Sequence, residues 1–291
     1  MAAYGRWLLV FCLGAMGCAS APAREDLYSR AVSLNDQGYQ YYQQSRLRLA
    51  EGKFAEALKL NRLIDRRVGI AANLNNLGVI AQEQGQAAQA QAYFQEALEI
   101  NRELHDPAGL SETLNNLGLV QLSLGRVNEA QTSYLEALEN ARLLPPGPLL
   151  ALSLTHLGDL ARIQKDYELA LDYYHQALSE AEARKDARGR ARGWERLGRT
   201  FLDLKDYARA GQYLPDALRE FRRLEDTNGI ADTLKDLTQL SLAQGEKPAA
   251  ALHGKLLLEI YQARGQEQEA AQLLELLKAG GVKPVSGEQK K

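Results

Sequence analysis

The residues able to do chemistry are few in this 291-residue chain, and their spacing assembles no reaction centre. Four histidines, His105, His156, His175 and His253, are scattered singly. His156 and His175 fall on adjacent helical segments, but without the carboxylate or thiolate company that a metal site needs. The chain contains no HExxH, GxSxG, GxxxxGK or GxGxxG, so the usual zinc, nucleophile and phosphate-cradling arrangements are missing. Gly52-Lys53 and Gly254-Lys255 lack the upstream glycine of a phosphate loop. Asp159 with Asp166, and Glu225 with Asp226, are carboxylate pairs by proximity only, as expected of solvated helix ends. The sequence predicts no catalytic residue, no metal and no cofactor.

Recognition is the chemistry that remains. Lys and Arg number 35 against 37 Asp and Glu, a formal charge of −2. That balance argues against capture of nucleic acid or of an anionic surface by net charge. Leu, Ala, Glu, Gln and Arg dominate and prolines are eight, which favours helix almost throughout because these side chains lose little rotamer freedom there. Two cysteines, Cys12 and Cys18, exclude a disulfide scaffold or a zinc ribbon.

Residues Met1 to Gly17 carry one charge, Arg6, and an apolar run from Trp7 to Met16. The run is short of the ~20 residues that span a bilayer and has the size of a secretory h-region. Its end, Leu13-Gly-Ala-Met-Gly-Cys18, resembles the lipobox of bacterial lipoprotein signals. That resemblance implies a signal peptide over 1–17, a lipidated Cys18 as the anchor, and a tether over 18–23. Ala19 after the cysteine resembles lipoproteins sorted to the outer membrane. Ordinary secretion, or a cytoplasmic protein whose N-terminus only looks like a signal, are the alternatives.

The rest of the chain repeats itself. Leu74-Asn-Asn-Leu-Gly78, Leu114-Asn-Asn-Leu-Gly118, Leu154-Thr-His-Leu-Gly158, Trp194-Glu-Arg-Leu-Gly198 and Leu234-Lys-Asp-Leu-Thr238 stand 40 residues apart. Ala90, Ala130, Ala170, Ala210 and Ala250 follow in phase, then Phe94, Tyr134, Tyr174 and Leu214, then Ala97, Ala137, Ala177 and Ala217. Leu74, Leu77, Gly78 and Ala81 fall at i, i+3, i+4 and i+7, one face of a helix. This pattern resembles the tetratricopeptide repeat over about Ala23 to Gly280, in its 40-residue variety. The resemblance implies an all-α fold, a right-handed superhelical solenoid of about six helix-turn-helix units over 24–280. Stacked units of that kind bury one continuous core and need a terminal cap. Glu267–Lys278 reads as the capping helix, and 281–291 as a polar, disordered tail.

Three local features modify the pattern. In the first repeat, Gly52–Ala57 matches Gly85–Ala90 at a spacing of 33, whereas Leu34–Gly38 keeps the spacing of 40. The first alignment places a glycine in the turn, and predicts one long helix from about Arg24 to Ala50. Leu144-Pro-Pro-Gly-Pro148 replaces a turn in mid-array. Pro215 lies inside a second helix and is expected to kink it.

In tetratricopeptide proteins the first helix of each unit lines a concave groove that binds peptides. Carried over by position, the groove candidates are Asn75, Asn76, Gln82, Asn115, Asn116, Thr155, His156, Asp159, Arg162, Arg192, Glu195, Arg196, Arg199, Lys235 and Gln239. Asparagine both donates and accepts, which suits it to holding a peptide backbone. Arg184, Lys185, Arg188, Arg190, Arg192, Arg196 and Arg199 stand against only Asp186 and Glu195. Either this cluster docks an acidic segment of a partner protein, or acids on neighbouring helices balance it.

The expected function is a non-enzymatic adaptor: a protein or peptide partner in the concave groove, the membrane reached through Cys18, and no nucleic acid. Lipoproteins of this architecture include pilotins of type IV pilus secretins and scaffolds of cell-wall hydrolases, so both are implied clients. An accessory protein acting on polysaccharide or peptidoglycan itself is the enzymatic rival.

Overall fold

A computed structural model describes residues 21–282. The signal, Cys18 and the tail from 283 onward lie outside the described residues. Among those described, thirteen α-helices and no strand follow one another. They are α1 (Ala21–Gln43), α2 (Leu47–Leu63), α3 (Arg67–Glu83), α4 (Ala87–Leu104), α5 (Pro107–Ser123), α6 (Val127–Arg142) and α7 (Pro148–Ile163). Then come α8 (Tyr167–Ala183), α9 (Ala187–Asp203), α10 (Tyr207–Arg223), α11 (Thr227–Ala243), α12 (Lys247–Ala263) and α13 (Glu267–Ala279). Each helix packs on the next, giving six pairs and a final cap. Successive odd helices from α3 to α11 also touch, while even helices make no comparable approach. The solenoid therefore curves with its odd helices inside.

The turns are built alike. Ser45, Asp65, Gly85, His105, Gly125, Lys165, Lys185, Lys205, Glu225, Gly245 and Gly265 all have positive φ, one every 20 residues. At each of these turns the next residue's N–H reaches back to a carbonyl five positions earlier, as Gln86 does to Ala81 at 2.8 Å, so the helix ends in a left-handed cap that satisfies its orphan carbonyls. The turn at His105 closes the same way, from Asp106 to Asn101. The series skips only position 145, where Pro145 cannot take a positive φ. There the longer Leu143–Gly147 link joins α6 to α7 without losing the phase of the array. Asp106, Asp166, Asp186, Asp206 and Asp226 each cap the following helix with a carboxylate.

Within a pair, the glycine of the odd helix lies against the large residue of the even one. A Cβ on Gly78, Gly118 or Gly158 would come within 2.5 Å of the ring of Phe94, Tyr134 or Tyr174 respectively. Those rings close each repeat on its own glycine and also fill the space toward the next repeat, Phe94 sharing a buried cluster with Leu114 and Leu117, and Tyr134 with Leu154 and Leu157. Phe54 does the same to Gly38 at 2.6 Å. This corrects the first repeat: the spacing of 40 holds, α1 ends at Gln43, and no long helix reaches Ala50. α10 continues unbroken through Pro215.

Candidate partner-binding face

The inner face is defined by where odd helices meet, and polar side chains mark the seam. Asn76 Nδ2 donates to Asn35 Oδ1 at 3.2 Å, and Asn116 Nδ2 to Asn75 Oδ1 at 3.1 Å. One repeat on, His156 Nδ1 lies 3.1 Å from Asn115 Oδ1. The acceptor is a carbonyl oxygen, so the ring donates. All three bonds span 41 residues: the third residue of one block meets the second residue of the block before it. Cross-bonds brace the seam further, from Asn75 to Glu112 at 2.9 Å and from Asn115 to Ser153 at 2.8 Å. The result is an amide ladder running from α1 to α7.

From α7 onward the same seam is ionic. Arg196 Nε lies 3.1 Å from Asp159, which also accepts from Tyr174 Oη at 2.7 Å. Arg199 sits between two buried carboxylates, Glu195 at 2.7 Å and Asp236 at 2.9 Å. Arg162 pairs with Asp203 at 2.7 Å. Burial pushes the Asp236 carboxyl well up; the Arg199 charge opposes this, and Glu195 adds to it. Burial lowers His156 to about 4, with Asp159 pulling the other way, so the ring is neutral at physiological pH.

The groove candidates therefore separate into two kinds. Asn75, Asn76 and Asn115 are buried and spent on neighbouring helices, and Glu195 is buried and paired with Arg196 and Arg199 of its own helix. Asn116, His156, Asp159, Arg162, Arg196 and Arg199 are half-buried and paired. Thr155 bonds its own helix at Ala151. Arg192, Lys235 and Gln239 face solvent, and Gln82 is half-buried. The ladder partners Asn35, Glu112, Ser153, Asp203 and Asp236 escaped sequence reading, although the offset of 41 between polar residues was there to be seen.

The basic cluster is largely neutralised. Arg188 pairs with Asp226 at 3.3 Å and Arg190 with Glu220 at 3.1 Å, and Arg184 reaches Asp186 at 4.0 Å. With Arg196 and Arg199 already paired, only Lys185 and Arg192 of the seven have no ion-pair partner among the described residues. Charge balance from neighbouring helices is the better description. His175 faces solvent on α8, while His156 is half-buried and bonded to Asn115 in the seam of the odd helices. Among the described residues no group of three His, Cys, Asp or Glu is placed to hold a metal.

Comparison with known proteins agrees with the fold. No curated protein matches the sequence. The structure is similar to that of Pseudomonas aeruginosa PilF, with 20% identity, 85% of this chain and 99% of that one covered, and a TM-score of 0.58. PilW, a type IV pilus biogenesis factor, aligns with 19% identity over 84% of this chain and 98% of its own, with a TM-score of 0.60. A Rap protein complexed with Competence and Sporulation Factor aligns with 15% identity over 89% and 79%, with a TM-score of 0.67. These likenesses are of fold. The tetratricopeptide repeat model matches residues 29–103 and 109–183, and the chain belongs to the tetratricopeptide repeat family.

Proposed function

We propose that this tetratricopeptide scaffold is an outer-membrane-anchored, periplasm-facing adaptor that holds a partner protein on its inner face. The observation that carries the reading is the seam of the odd helices. Its buried ladder holds neighbouring repeats in one fixed arrangement, and a rigid surface loses little entropy on binding. Along the ionic stretch of the seam, Arg192 on α9 and Lys235 and Gln239 on α11 face solvent and are placed to meet a ligand. Arg192, with no ion-pair partner among the described residues, suits a carboxylate on the partner segment.

Attachment rests on Leu13–Cys18. No helix among the described residues is long and apolar enough to cross a membrane, so the lipid on Cys18 is the anchor in this reading. The alignment over nearly the whole of PilW, a pilus biogenesis factor, supports pilus or secretin assembly as the setting. A client among peptidoglycan hydrolases is the competing assignment. Mass spectrometry of the mature protein tests the anchor: residues 1–17 absent and Cys18 acylated is the expected result, and an intact Met1 overturns it. Photocrosslinkers at Lys235 and Gln239 in intact cells should capture one discrete partner, and its identity decides between the two settings. A crosslinker at the outward-facing His175 that captures the same partner equally well removes the inner face from the account.

A further inference from the structure

The antiparallel pairs place the starts of odd helices and the ends of even helices along one edge of the array. Arg24 Nη2 donates to Ile64 O at 2.8 Å, tying the start of α1 to the α2–α3 turn on that edge. Apolar side chains here face water. Leu63 is 70% exposed, Val68 55% and Tyr28 40%. Two repeats on, at the α6–α7 link of the same edge, Leu143 is 75% exposed. Leu143 and Leu63 are the most exposed large apolar residues described. Neither supports the core, and each follows an arginine in sequence, Arg142 and Arg62, of which Arg62 pairs with Glu96 at 2.5 Å. Arg66 has its guanidinium 4.4 Å from the Tyr28 ring centroid, beside an open depression of about 390 Å³ that Arg24, Glu25 and Asp65 also line.

Leucines at turn tips with arginines beside them are the side chains that enter the boundary between headgroups and acyl chains. The position on the chain points to the same occupant. Ala21, where α1 starts, follows Cys18 by three positions, a reach of roughly 10 Å at full extension. We propose that this edge rests on a lipid surface, with Leu63 and Leu143 inserted and Arg66 on lipid phosphates. The solenoid would then lie along the membrane with its edge down, leaving the inner face open sideways to a partner. The proposal rests on the anchor reading above, because acylated Cys18 is what holds this edge to the bilayer.

Full-length protein carrying Leu63→Cys, Leu143→Cys or, as control, Leu252→Cys tests it. Leu252 is 58% exposed near the start of α12, on the opposite edge. Each is labelled with an environment-sensitive fluorophore and reconstituted into phosphatidylethanolamine and phosphatidylglycerol vesicles containing brominated lipid. The expected result is a blue shift and several-fold stronger quenching at 63 and 143 than at 252. Co-flotation with equal quenching at all three positions overturns the edge proposal and leaves the anchor standing. Failure to co-float overturns both. A label at 63 that is insensitive to lipid but shielded by added partner protein reassigns the edge to protein docking and overturns the lipid proposal.

Discussion

Gly118 and Tyr134 are in direct contact: a Cβ on the glycine would stand 2.4 Å from Cε1 of the ring. The ring is buried and cannot swing away, so the only relief is to move α6 off α5. Gly118→Ala should therefore lower stability by about 2 kcal/mol, the usual cost of overpacking a close-packed site. Gly52 offers the control. It lies within α2, and a methyl group added there would meet nothing within 4 Å, so Gly52→Ala should raise stability by roughly 0.5 kcal/mol through helix propensity. Urea unfolding of the two variants checks both signs, and a loss in each case would refute the contact argument.

The 20-residue succession of left-handed turns makes a second prediction. Lys205 and Gly125 hold the same conformation, with φ of 60° and 75°. A side chain in that region costs ~1 kcal/mol against glycine. Lys205→Gly should stabilise by a fraction of that, since the glycine also loosens the unfolded chain. Gly125→Ala should destabilise by about 1 kcal/mol. Thermal midpoints moving in opposite directions are the expected readout.

Helices and their partners were legible because Leu74, Gly78, Ala90 and Phe94 recur in phase, and each carries its meaning in its size alone. The first repeat misled because Gly52 looks like a turn glycine; the real turn has Ser45 at positive φ, a conformation that a serine does not advertise. The inner face was legible as polar but not as occupied. Asn75 can be assigned to a helix face from its position. Whether it meets a ligand or Asn116 depends on how closely two odd helices approach, and no local pattern states that distance.

Asn115 is the most committed member of the ladder: it donates to Ser111 O and Ser153 and accepts from His156. Truncation to alanine leaves the His156 N–H without a partner in the seam and removes the bonds to Ser111 O and Ser153, whose hydroxyl keeps only its bond to Leu149 O, a loss of about 2–3 kcal/mol. A double-mutant cycle between Asn115 and His156 should give a coupling of roughly 1 kcal/mol. Zero coupling would mean that the bond contributes nothing. Partner capture at temperatures where the Asn115→Ala variant remains folded should be almost unchanged, because its amide is not available to a ligand.

The seam also makes stability depend on pH, with two opposed slopes. His156 has its folded pKa lowered to about 4 from 6.5, so protons bind the unfolded chain more tightly. Its contribution is complete above the unfolded value and is lost as pH falls from 6.5 toward about 4, by up to roughly 3 kcal/mol. His156→Gln should abolish that acid loss. Asp236 is raised above its ordinary 3.8, so its favourable contribution is present at low pH and is lost as pH rises through the elevated value. Asp236→Asn should accordingly gain on the wild type as pH rises toward neutrality. Denaturant midpoints across this range, for both variants, separate the two groups; parallel curves for variants and wild type would rule out both assignments.

Arg192 and Arg199 come from the same basic stretch and should behave as opposites. Arg199 bridges Glu195 and Asp236, both buried, and Glu195 also has Arg196 at 3.4 Å. Arg199→Ser strands Asp236 in a dry seam and leaves Glu195 with Arg196 alone, and breaking such a buried pair costs about 3–5 kcal/mol. Any loss of partner capture in that variant would reflect damage to the fold. Arg192 faces solvent and makes no ion pair among the described residues, so Arg192→Ser should leave the melting temperature within a degree or two. If Arg192 meets a carboxylate of the partner, its replacement weakens capture several-fold at low salt and much less at high salt, because an exposed ion pair is screened. Equal capture by wild type and Arg192→Ser at both salt concentrations would show that no acidic segment docks at the fifth repeat. The adaptor reading would then rest on Lys235, Gln239 and the rest of the inner face.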